Sequence, residues 1–114
     1  MSNEPTQIRE RMQQLGAKFA QRTRGELVSM RAFVEQARQG DAGAVRSLEM
    51  FAHKIHGTGA TFGLAAISGS AGEIERLASQ VLAGAAEFDD TCAARASEII
   101  ERLQAELESF NAAS

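Results

Sequence analysis

Apolar residues recur three or four positions apart along most of the chain, which is the spacing of amphipathic helices. Pro5 suits a first helical turn, and the first apolar stripe runs to about Arg22. Thr23, followed three residues later by Glu26, fits a capping box that begins a second helix, which continues to Gly40. The two stripes consist of Ile8, Met12, Leu15 and Phe19, and of Leu27, Met30, Val34 and Ala37.

Two further helices follow with the same spacing. Asp41 can cap the third helix, and the fourth begins after Gly63 and ends at Gly84. Within the fourth helix, Gly69 and Gly72 each lower the helix propensity by about 1 kcal/mol. Packing must therefore compensate for these two glycines. The apolar stripe of the third helix consists of Val45, Leu48, Ala52 and Ile55.

A fifth helix is predicted after Phe88, with Asp89 or Asp90 as its cap, and extends almost to the C-terminus. A chain of 114 residues, rich in helix formers and without Trp or Tyr, suits one all-α domain. Because short connections favour antiparallel neighbours, we expect an antiparallel up-and-down four-helix bundle over residues 23–111. An additional N-terminal helix over residues 1–22 is expected to pack across it.

Composition and charge exclude several classes of function. The net charge is −3 and charges of both signs are interspersed, so the basic surface that nucleic acid requires is missing and protein partners are expected. No apolar run approaches a membrane span, and the first ten residues lack the apolar core of a signal peptide. The single Cys92 cannot form an internal disulfide, and its place on an apolar stripe predicts a buried structural thiol. We expect a reduced, cytoplasmic protein.

His53 does not belong to the apolar stripe of the third helix. At about 100° per residue, it lies roughly 120° from the centre of that stripe, so its imidazole should face solvent or the edge of a groove. Glu49, Met50, His56, Gly57 and Ala60 are predicted to share this patch. Gly57 has two readings: it leaves room for another protein's backbone beside His53, or it begins to unwind the helix towards the later glycines.

Glu75 is predicted to lie beside His53. If the third and fourth helices form an antiparallel hairpin that turns near Gly63 and Leu64, Glu75 lies as far beyond the turn as His53 lies before it. A carboxylate next to one ring nitrogen fixes the tautomer of the imidazole and leaves the other nitrogen free as a nucleophile. The alternative is that Glu75 belongs to a solvated acidic face with Glu73.

The segment 51–75 also carries a recognisable order of residues, made up of His53, His56, Gly57, Thr58, Gly59, Gly63, Ile67, Ile74 and Glu75. This order resembles the histidine phosphotransfer (HPt) domain family of bacterial two-component phosphorelays. The resemblance implies a four-helix bundle in which His53 accepts a phosphoryl group from the aspartyl phosphate of a receiver domain and passes it to another receiver. It further implies that Gly57 gives the receiver room and that Glu75 orients the phosphoacceptor ring.

One position departs from the family pattern. The family usually has Lys where this chain has His56, and that lysine can balance the charge of the phosphoryl group. Because histidine is only partly charged at neutral pH, we expect a transfer rate or phosphohistidine lifetime that depends on pH, with Lys54 as a substitute cation. A flat profile between about pH 6 and 8 in both measurements would exclude a charged role for His56.

The resemblance also implies the partners, namely response-regulator receiver domains and the receiver of a hybrid histidine kinase. The chain is expected to be a monomer that carries phosphohistidine without a kinase domain or cofactor of its own, while the receiver brings Mg²⁺. Two other functions stay open. One is a plain helical interaction module, and the other is a metal site in which Glu49 and Glu75 join the two histidines, although His53 points away from the core.

Overall fold

Residues 4–113 fold into four α-helices. The computed structural model describes the backbone of residues 4–113 and the side chains of residues 5–110. Within these residues there is no β-strand, and short segments at 39–41, 62–64 and 83–89 connect the helices. The helices are α1, Glu4–Arg38; α2, Ala42–Thr61; α3, Ala65–Leu82; and α4, Asp90–Ala113.

α1 is one continuous helix, so the predicted boundary between residues 22 and 23 is wrong. The hydroxyl of Thr23 is fully buried and donates a hydrogen bond to the carbonyl of Phe19 at 2.7 Å, within the same helix. It therefore does not cap a new helix. Among residues 4–113 no separate N-terminal helix packs across the bundle, and Ile8 and Met12 of the first stripe are exposed. Residues 1–3 of the predicted N-terminal helix lie outside the described residues.

The helices form a ring in which each packs against the next along the chain and α4 closes against α1. Residue pairs between α1 and α2 show that these two helices run in opposite directions. The rings of Phe33 and Phe51 lie 5.2 Å apart, and Glu26, earlier on α1, lies 3.8 Å from Nζ of Lys54, later on α2. Residues earlier on α1 thus contact residues later on α2. The predicted all-α, antiparallel four-helix bundle is confirmed.

The core runs through the middle of this ring. Each of its large aliphatic side chains stabilises the fold by about 1.5–3 kcal/mol relative to an exposed position. Cys92, predicted to be buried, is only partly so, and burial, followed by the charge of Asp89, raises the pKa of its thiol. The largest fully buried aliphatic side chains are Leu27, Met30, Leu48, Ile55, Ile74, Ile99, Ile100, Leu103 and Leu107.

The two ends of α2 fix the hairpin that α2 and α3 form. Asp41 caps the N-terminus as predicted, because its carboxylate accepts a hydrogen bond from the amide of Ala44 at 3.2 Å. At the other end, Gly63 adopts φ 71°, a left-handed conformation that favours glycine. There the amide of Leu64 donates to the carbonyl of Gly59 at 2.8 Å. This tight turn sets the register between α2 and α3.

Candidate functional site

His53 projects from α2 at the edge of the groove between α2 and α3. Its side chain is 70% exposed, and its Nδ1 lies 2.6 Å from Oε2 of Glu75 on α3. An ionised carboxylate only accepts hydrogen bonds, so Nδ1 of His53 carries the proton and donates. The lone pair of the neutral ring is then on Nε2, which has no hydrogen-bond partner among the described residues. The arrangement presents an oriented nitrogen nucleophile at the surface.

The hairpin register accounts for this contact. One turn before His53, the hydroxyl of Ser79 donates a hydrogen bond to the carboxylate of Glu49. Two turns after His53, Gly59 packs against Ser68. The pairing of His53 with Glu75 falls between these two contacts, as an antiparallel pair of helices requires. The predicted contact is present, while the roles of the two side chains in phosphotransfer stay predictions.

His56 is held between the two helices, whereas the sequence predicted it on the same surface patch as His53. Its ring is partly buried, and its Nδ1 lies 2.8 Å from the backbone carbonyl of Ser68. Because a carbonyl only accepts, this Nδ1 carries a proton. The Ser68 hydroxyl in turn donates to the carbonyl of His56 at 2.8 Å.

The absence of a side chain at Gly72 makes room for the His56 ring. A Cβ atom at this position would lie 3.0 Å from Nδ1 of His56 and 3.2 Å from its Cε1. The imidazole thus packs directly on the backbone of α3. This contact gives a physical reason for one of the two glycines inside α3, while nothing in the structure accounts for Gly69.

Lys54 lies on the other side of α2 from Glu75. Its Nζ is 3.8 Å from Oε2 of Glu26 on α1 and 5.9 Å from the centre of the Phe51 ring. The side chain is 64% exposed, so the ion pair is weak. Its predicted role as a substitute cation stays a prediction, and its charge is directed towards α1.

Gly57 lies inside α2, because the helix continues without interruption to Thr61. The reading in which Gly57 begins to unwind the helix is therefore wrong. A Cβ atom at Gly57 would meet no other atom within 4 Å, so the surface one turn after His53 is open. The structure is consistent with the predicted room for a partner's backbone at this position.

Arg76 is a residue of this region that the sequence analysis missed. It is exposed, directly follows Glu75, and lines a surface groove of about 420 Å³. Glu75 connects this groove with His53, since it lines the groove and forms the hydrogen bond with the His53 ring. The position of Arg76 next to Glu75 is the signal in the sequence that could have found it. The groove is lined by His56, Gly72, Glu75, Arg76, Ser79 and Gln80.

Residues 6–113 match the family model of the Hpt domain. The chain belongs to the Hpt domain family. Hpt domains carry out histidine phosphotransfer in two-component phosphorelays and interact with the receiver domains of response regulators. A search of curated proteins and a search of solved structures each returned no significant match.

Two further features of this Hpt domain bear on the other functions considered. No helix among residues 4–113 is long and apolar enough to cross a membrane. Over the same residues, no three His, Cys, Asp or Glu side chains are arranged so that they could hold a metal ion. Of the ligands considered for a metal site, Glu49 bonds Ser79, His56 bonds Ser68, and His53 bonds Glu75.

Proposed function

We propose that this Hpt domain accepts a phosphoryl group on Nε2 of His53 from the aspartyl phosphate of one receiver domain and passes it to a second receiver. The observation that carries the proposal is the exposed imidazole whose Nδ1 is bonded to Glu75 at 2.6 Å. This bond selects the tautomer in which Nε2 has the lone pair. A hybrid histidine kinase is the proposed owner of the donor receiver, and the cytoplasm is the proposed compartment.

The transfer step follows from this tautomer. Nε2 of His53 donates its lone pair to phosphorus while the bond between phosphorus and the aspartate oxygen breaks, and that electron pair leaves with the carboxylate. The proton on Nδ1 stays on the ring, and the carboxylate of Glu75 offsets the positive charge that the imidazole gains. In the onward step, an aspartate of the second receiver attacks phosphorus, and the electrons of the N–P bond return to Nε2.

The receiver supplies the rest of the reaction centre in this proposal. Phosphoryl transfer depends mainly on in-line positioning and on stabilising the negative charge of the transition state, so the domain needs no cofactor of its own. The receiver brings its acidic pocket and Mg²⁺. The proposed docking face surrounds His53 and includes Met50, whose side chain is 56% exposed, and the open backbone at Gly57.

Transfer from phosphorylated receivers tests the proposal. The wild-type domain and a His53→Gln variant are incubated with a panel of receivers that carry labelled phosphate. We expect acid-labile, base-stable label on the wild type and none on the variant. If no cognate receiver labels the wild type, the proposal is contradicted. If both proteins are labelled, a residue other than His53 accepts the phosphoryl group. Metal analysis of the same wild-type sample tests the alternative of a metal site.

A further inference from the structure

The phosphoryl group brings negative charge to a place that already contains the carboxylate of Glu75. A fixed positive charge nearby would stabilise both the phosphorylated state and the transition state. Neither of the two cations predicted from the sequence supplies a fixed charge beside Glu75, because a histidine is not permanently charged and Lys54 lies on the other side of α2. Nδ1 of His56 is bonded to the carbonyl of Ser68, and Lys54 is directed towards Glu26 on α1.

Arg76 is exposed and directly follows Glu75 on α3. Both residues line the groove that also contains His56, and Arg76 lines a second groove together with Arg95 of α4. Its guanidinium forms no ion pair with any residue that the structure describes. The neighbouring arginines on α4 differ in this respect, because Arg95 and Arg102 both pair with Glu73. A guanidinium is permanently charged and suits the oxygens of a phosphoryl group.

We infer that Arg76 is the cation that contacts the phosphoryl group on His53, in the role that the family usually gives to a lysine at the position of His56. The inference rests on the proposed function. Arg76 acts on the phosphoryl oxygens and is not needed for the hydrogen bond between His53 and Glu75. It takes no part in bond making, so the electron and proton changes are those of the transfer step above.

Three variants test this role. Arg76→Ala removes the charge, and Arg76→Lys keeps it. Arg46→Ala is the matched control, because it causes the same change in net charge at another exposed arginine, seven residues or about 10 Å along α2 from His53. Each protein is phosphorylated with phosphoramidate, a small donor that needs no receiver, and the rates of labelling and of phosphohistidine hydrolysis are measured at two salt concentrations.

We expect Arg76→Ala to label more slowly and to lose the phosphoryl group faster, each by roughly two- to fivefold, as one exposed charge allows. Arg76→Lys should restore most of both rates, and Arg46→Ala should match the wild type. The difference between wild type and Arg76→Ala should shrink at high salt, which a merely structural role would not cause.

The outcomes separate this inference from the proposed function. Label on the wild type with equal rates in Arg76→Ala and Arg46→Ala would overturn the role of Arg76 alone. A defect in Arg76→Ala that Arg76→Lys does not reduce, or that salt does not change, would also overturn it. No label on the wild type, either from phosphoramidate or from any receiver, would overturn the proposed function and this inference together.

Discussion

Replacing Gly72 by alanine perturbs the contact that holds His56 between α2 and α3. The new Cβ would lie 3.0 Å from Nδ1 of His56 and 3.2 Å from Cε1, which is tighter than ordinary van der Waals contact. The ring cannot move freely, because Nδ1 is bonded to the carbonyl of Ser68 at 2.8 Å. The substitution therefore either strains the packing or displaces the imidazole and breaks this hydrogen bond.

The expected change in the free energy of unfolding is the sum of two opposing effects. Alanine in place of glycine inside a helix stabilises it by about 1 kcal/mol. Forcing an extra methyl group into a packed site costs about 1–3 kcal/mol. Gly72→Ala should therefore lose roughly 0–2 kcal/mol. At Gly69, three residues earlier on α3, a Cβ atom meets nothing within 4 Å, so Gly69→Ala should gain about 1 kcal/mol.

Thermal and urea unfolding, followed by circular dichroism at the helix band, measure both variants. For a domain of this size, 1 kcal/mol corresponds to about 4 °C in Tm. Gly69→Ala should unfold above the wild type and Gly72→Ala at or below it. In a His56→Ala background the clash is removed, so Gly72→Ala should become stabilising there, and the double-mutant cycle isolates the contact. If Gly72→Ala stabilises the wild-type chain as much as Gly69→Ala does, the described packing of His56 is wrong.

Three other substitutions give separate checks. Gly57→Ala fills open space inside α2, so it should raise the free energy of unfolding by about 0.5–1 kcal/mol and yet slow transfer from a receiver. Transfer rates equal to those of the wild type would refute a docking role for this position. Glu75→Gln keeps a hydrogen-bond partner for Nδ1 of His53, whereas Glu75→Ala removes it. The rate of labelling by phosphoramidate should therefore fall further in the alanine variant. Equal labelling rates in the two variants would refute the orienting role. Asp41→Ala removes the cap of α2 and should lower the free energy of unfolding in urea by about 1 kcal/mol, whereas Asp41→Asn should lower it little. Equal losses in the two variants would show that the cap bond to Ala44 contributes nothing.

The hairpin that carries the site was predictable because it depends on local signals. A capping aspartate begins α2, a glycine with φ 71° marks the turn into α3, and counting outwards from that turn pairs His53 with Glu75. In an antiparallel pair with a short turn, the register leaves little freedom. The off-core position of His53 followed from the same helical spacing.

Two other features depend on how deeply a side chain is buried in the folded domain, which the pattern along the chain does not contain. Thr23 with Glu26 matches a capping box, but the hydroxyl of Thr23 is buried and bonds the carbonyl of Phe19, so the helix continues. Likewise, the helical spacing gives the direction of His56 from α2 but not the depth of its ring. That depth depends on the missing side chain at Gly72 on the opposite helix.

The position of the phosphoryl group on the ring tests the central claim most directly. The wild-type protein, labelled with ¹⁵N in its histidines, is phosphorylated by a receiver and studied by NMR for the coupling between phosphorus and nitrogen. Because Nδ1 of His53 is bonded to Glu75, the phosphoryl group should appear on Nε2 of His53, with the proton kept on Nδ1. A phosphoryl group on Nδ1 of His53, or on either nitrogen of His56, would contradict the account.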